Sequence, residues 1–278
     1  MDNRLGNGMY LRRVAATLAV SAAVALGFAA TASAAPSWAP ASTATIHPGV
    51  QTDNKGAQCT SNFVFYDPDG NVYLGQAAHC TGQGGQTETD GCNSTSLPLG
   101  TSIGIGGAKS PGTLAYNSWT AMRQAGERSE DACQFNDFAL IRIADSDVGH
   151  VNPSVPFWGG PTGLNTTGTR PGDRVLTYGN SKLHLGIEAL NPRSGISVGD
   201  QAGGWSHTVL TIIPGVPGDS GSAFMDSGGR ALGVLSTLNI LPIPAANGVG
   251  DLSRELTYMR QHGGPDVTLA TGTEPFSG

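Results

Sequence analysis

Residues 214–224 read PGVPGDSGSAF and set Ser220 between Asp219 and Gly221, with Gly218 just before them. A serine hydroxyl is a weak nucleophile until a neutral imidazole takes its proton. The imidazole needs a carboxylate to hold its tautomer and to stabilise the imidazolium. Two other stretches supply those types: AAHC (77–80) carries His79, and NDFALI (136–141) carries Asp137 at the head of an apolar run. A carboxylate at the start of a buried strand needs a partner. The oxyanion that develops during acyl transfer needs preorganised donors, which the backbone N–H groups of Gly218 and Ser220 can provide. Gly218 lacks a Cβ, so a substrate can approach its N–H closely. These types together point to hydrolysis through an acyl-enzyme on Ser220, with His79 as general base and then general acid. Gly-Asp-Ser-Gly alone would carry little weight in a chain with 41 glycines. The weight comes from the three stretches taken together.

The elements that must position these residues read as strands. Only 13% of the 278 residues are charged, and short apolar runs alternate with turn residues, which is the pattern of an all-β protein. FVFY and VYLGQA (63–66 and 72–77) flank DPDGN (67–71) and predict a hairpin that runs straight into His79. GTLAYNSWTAM (112–122) and DFALIRI (137–143) read as further strands. Prolines and glycines in 145–163 mark a boundary between two halves. The expected division is a first barrel over 55–148, then a linker, a second barrel and a helix over 149–264. That helix, DLSRELTYMRQHGG (251–264), shares Leu252, Leu256 and Met259 on one face and is the one good helix after the leader. Residues 35–54 read as a linker or short pro-segment, and 265–278 as a flexible tail.

Residues 1–34 carry a basic leader, an uncharged apolar run over 14–30, and small residues at Ala32 and Ala34. This is the pattern of a cleaved signal peptide; the rival reading, a membrane anchor, lacks a basic stop-transfer cluster. The expected location is therefore extracellular, without a membrane anchor. In that setting Cys59, Cys80, Cys92 and Cys133 can form two disulfides in any of three pairings. Zinc is the rival reading, but no pair has metal-knuckle spacing. Net charge is −6, with three lysines and no basic stripe, so nucleic acid is not an expected partner.

The order His79, Asp137, Ser220, with AAHC, NDFALI, GDSGS (218–222) and LGVLS (232–236), resembles the trypsin/chymotrypsin family of serine proteases. The resemblance covers roughly residues 55–262. It implies two packed antiparallel six-stranded β-barrels with the triad between them, and disulfides Cys59–Cys80 and Cys92–Cys133. It also implies that Ser236 bonds Asp137, that Thr237 and Leu238 pair with the substrate backbone, and that Pro214 lies at the base of the specificity pocket. Two departures stand out. No Ile-Val-Gly-Gly-type motif follows a basic residue to supply a cation for Asp219, so either another cation, such as an arginine, does so or activation follows a different route. Pro214 and Leu238 predict cleavage after small or medium neutral residues rather than after Arg or Lys.

The expected function is that of a monomeric secreted endopeptidase acting on peptides or proteins, with no metal or organic cofactor. A binding module that keeps the fold without turnover is the alternative. A lipase or esterase would place its serine early and its histidine late, the reverse of this chain. His47, His150, His184, His207 and His262 lack a comparable context and read as surface or packing residues.

Overall fold

The computed structural model describes residues 36–54, 57–83, 90–239 and 246–278. The leader read as a signal peptide lies outside them. In the first half the strands are β1 (Gln51–Asn54), β2 (Ala57–Thr60), β3 (Val64–Tyr66), β4 (Val72–Gln76), β5 (Ser102–Ile105), β6 (Gly112–Asn117) and β7 (Ala139–Arg142). In the second half they are β8 (Arg174–Tyr178), β9 (Pro192–Gln201), β10 (Ser206–Thr211), β11 (Ala223–Asp226), β12 (Ala231–Asn239) and β13 (Ala246–Asp251). A last strand, β14 (Thr268–Leu269), lies near the C-terminus.

The predicted hairpin is β3–β4, with Phe65 opposite Tyr73. Asp67 makes its turn: Oδ1 accepts the N–H groups of Asp69 and Asn71, and Oδ2 accepts the Tyr73 hydroxyl at 2.7 Å. This side-chain mimic of a backbone turn is why Asp at that position reverses the chain. Phe63, Phe65, Leu74, Phe138, Leu140 and Ile141 are fully buried behind it, each contributing about 1.5–3 kcal/mol of burial. A second cluster, Val175, Val209, Phe224, Leu232, Leu235 and Val249, lies among the strands of the second half.

The second half closes as a six-stranded antiparallel barrel in the order β10-β13-β12-β11-β8-β9. The first half differs from the expected six-stranded barrel. It is an eight-stranded sheet, β14-β3-β4-β7-β6-β5-β1-β2, whose ends are not bonded to each other. A strand has two edges; on β3, β4 takes one and β14 the other, with Thr268 opposite Tyr66. The segment expected to be a flexible tail is therefore part of the fold, with Val267 and Ala270 buried. Residues 36–54 are packed as well: Ile46 is fully buried and bridged to Val151, and Trp38 lies edge-on to Tyr66.

Three α-helices are present among the described residues. The C-terminal one, α3 (Leu252–Gln261), follows its prediction, and Asp251 Oδ1 caps it through the Arg254 N–H. The sequence reading missed α1 (Ser118–Ala125) and α2 (Glu130–Phe135). The run read as one strand over 112–122 is β6 followed by α1, divided by Asn117, whose side chain accepts the Thr120 N–H. Ser129 caps α2 in the same way. No described helix is long and apolar enough to cross a membrane.

Candidate active site

His79 lies in a short 3-10 helix, Ala78–Thr81, directly after β4. The Cys59–Cys80 disulfide staples that turn to β2, and Cys92–Cys133 ties the loop after it to α2. All four sulfurs are thereby engaged, which leaves no thiolate beside His79 for a metal. Asp137 sits two residues ahead of β7. Its Oδ2 lies 2.7 Å from His79 Nδ1 and accepts the Ser236 hydroxyl at 2.6 Å, while Oδ1 accepts the His79 backbone N–H at 2.8 Å. A carboxylate can only accept, so Nδ1 carries the proton and Nε2 is the basic nitrogen.

Electrostatics follow from this geometry. Burial opposes the His79 charge, but the adjacent Asp137 carboxylate outweighs burial and holds the imidazole pKa above its ordinary value of 6.5. Burial likewise raises Asp137, yet the His79 charge and the bonds from His79 and Ser236 bring it below its ordinary 3.8.

Ser220 lies in a turn whose shape depends on two glycines. Gly218 and Gly221 have φ of 97° and 89°, where a side chain is strained. A Cβ on Gly221 would collide with the Thr60 carbonyl oxygen and come 3.0 Å from the Ala77 nitrogen. The turn is held against the first sheet. Thr60 N–H donates to the Ser220 carbonyl at 2.9 Å, Asn62 Nδ2 to the Gly221 carbonyl, and Thr60 Oγ1 and Gln58 Nε2 to the Gly218 carbonyl. The Ser220 carbonyl oxygen also lies 4.0 Å from Cys80 Sγ, next to His79. Among the described residues, the N–H groups of Gly218 and Ser220 have no protein acceptor, so both remain available as donors. The Ser220 hydroxyl likewise has no hydrogen-bond partner among the described residues.

The sequence left the cation for Asp219 open. It is Arg193, on β9: Nη2 lies 2.8 Å from Asp219 Oδ2, both groups are buried, and Nη1 donates to the Pro214 carbonyl at 3.1 Å. His184, read as a surface or packing residue, is buried, with Nε2 3.4 Å from the same carboxylate oxygen. His207 is fully buried between Asp200 and Asp251, at 2.7 and 3.0 Å, and both its ring nitrogens must donate. Burial opposes its charge, but the two carboxylates outweigh this and raise its pKa. Sequence reading missed Gln58, Thr60, Asn62 and Arg193 because each acts across a gap of many residues. For Arg193 the one signal was a basic residue within an alternating strand. Thr237 and Leu238 lie on β12 opposite Gly248 and Asn247; the Leu238 side chain is outside the described residues.

No protein-family model matches the chain, and no curated protein matches it either. Solved structures do. The chain is similar to Thermobifida fusca Protease A at 18% identity and a TM-score of 0.52, over 82% of this chain and 99% of that one. It is similar to Nocardiopsis Protease at 16% identity and 0.48, over 81% and 98%, and to Cellulomonas bogoriensis chymotrypsin at 17% and 0.47, over 81% and 98%. The chain has the chymotrypsin-like fold. In this chymotrypsin-like chain, His79 and Asp137 come from the half that forms the eight-stranded sheet, and Ser220 from the half that forms the closed barrel.

Proposed function

We propose that the chain is a secreted serine endopeptidase that cleaves peptide bonds through an acyl-enzyme on Ser220. The observation that carries this reading is the bonded array of Ser236, Asp137 and His79, with the Ser220 turn fixed to the same sheet through Thr60. His79 Nε2 takes the Ser220 proton, the hydroxyl oxygen attacks the carbonyl carbon, and the N–H groups of Gly218 and Ser220 receive the oxyanion. The imidazolium returns the proton to the leaving amine, and water repeats the sequence to free the enzyme. Thr237 and Leu238 receive the substrate backbone as an added strand. Pro214 in place of an acid at the pocket base favours small or medium neutral side chains. The apolar leader and the two disulfides support export.

The unpaired Ser220 hydroxyl favours a second reading, a binding module with the protease fold and no turnover. Labelling with a fluorophosphonate separates the two. A triad that assembles gives a phosphonylated Ser220 in the peptide map, and His79→Ala abolishes the label. A folded, processed protein that takes no label is the binding module.

A further inference from the structure

Helix α3 sends one acidic side chain to the rear of the site. Glu255 is completely buried, and its Oε1 accepts the backbone N–H of Asp137 at 3.1 Å. Its other oxygen, Oε2, has no partner among the described residues. Gly250 on β13 leaves the room it needs, since a Cβ there would come 2.5 Å from Oε1. The groups that face Glu255 from the packed elements are Asp137 ahead of β7, Asp251 at the start of α3, and Tyr116 on β6. Two are carboxylates and the third is a phenol. No cation among the described residues pairs with Glu255: His207 is spent on Asp200 and Asp251, and Arg193 on Asp219.

We propose that Glu255 is a positioning residue for Asp137 and is held as the neutral acid. An ionised group there would sit buried without a cation and beside two carboxylates, an arrangement that carries a large penalty. Burial pushes its pKa well above the ordinary 4.5, and Asp137 and Asp251 add to that; the bond from the Asp137 N–H works the other way without reversing it. As the neutral acid, Glu255 fixes the backbone at Asp137 without adding charge behind the His79–Asp137 pair. It also couples the C-terminal helix to the first sheet, so Asp137 is held from the Ser236 side by its carboxylate and from the α3 side by its backbone.

This proposal rests on the reading of His79, Asp137 and Ser220 as a catalytic triad, and its test can be read apart from turnover. The protein would be compared with Glu255→Gln and Glu255→Met. The carboxyl carbon resonance of Glu255 at neutral pH should be that of the protonated acid. The His79 Nδ1 proton resonance should be disturbed in Glu255→Met and restored in Glu255→Gln, whose side-chain oxygen still accepts the Asp137 N–H. With a peptide substrate, Glu255→Met should lose about tenfold or more in kcat with KM little changed. Glu255→Gln should rescue kcat and keep the pH midpoint. A carboxylate resonance for Glu255, or a pH midpoint lowered in Glu255→Gln, would show a charged residue and overturn the proposal. So would a Glu255→Met protein with an undisturbed His79 proton. If the parent protein turns over no substrate, the protease reading fails, and the two resonances still decide the role of Glu255.

Discussion

His79 is the group whose protonation the proposed reaction depends on. Only the neutral ring can take the Ser220 proton, so activity should be low in acid and rise as the imidazolium loses its proton. The Asp137 carboxylate holds that pKa above 6.5 against the effect of burial. The kcat/KM profile is therefore expected to have its midpoint above 6.5. Asp137 stays ionised across that range because its own pKa lies below 3.8. Asp137→Asn removes the charge that raises His79 and offers an amide where a carboxylate held the tautomer. Its activity should fall about 10⁴-fold, with the residual midpoint moved down. A profile flat from pH 5 to 8 in the parent protein would count against His79 as the base.

At the scale of elements, the turn that carries Ser220 depends on a strand distant in sequence. The β9 residue Arg193 neutralises Asp219 directly before Ser220 and at the same time bonds the Pro214 carbonyl. One side chain thus fixes both ends of the 214–219 loop. Arg193→Met leaves a fully buried carboxylate with only the Ser181 and Val216 N–H groups and His184 near it. Losing one partner of a buried pair typically costs about 3–5 kcal/mol, and denaturant unfolding should show a loss of that size together with reduced fluorophosphonate labelling. Unchanged stability would mean that the other contacts of Asp219 hold the loop without Arg193. Because Arg193 is internal to the chain, residues added at the N-terminus of the mature protein should leave labelling intact.

At the scale of the whole molecule, the segments near both described ends each add a strand to the first sheet, β1 from one and β14 from the other. β14 occupies the free edge of β3, and Val267 and Ala270 are buried beneath it. Truncation after Pro265 removes those side chains and exposes the β3 edge and the core surface they cover. The melting temperature should fall by about 5–10 °C, from the apolar area exposed and the size of the chain. A truncated protein that melts with the parent would show that β14 does not stabilise the sheet edge it covers.

Local chemistry makes much of this protein legible in its sequence. Pro68 and Gly70 between two apolar runs favour a tight turn, so β3–β4 and the position of His79 at its end follow from short-range rules. Asp251 and the Leu252, Leu256, Met259 face specify α3 in the same way. The types and chain order of His79, Asp137 and Ser220 suggest the proposed chemistry. Other features needed contacts between distant residues, which no local pattern encodes. Glu255 reaches Asp137 across 118 residues and Thr60 holds Gly218 across 158. Arg193 finds Asp219 only because β9 and the loop after β10 meet in a closed barrel. The tail and the 36–54 segment look loose in sequence because they carry few strand signals. Tertiary structure decided otherwise, since an open sheet edge and an uncovered apolar core gain more from being covered than those short segments lose in chain entropy.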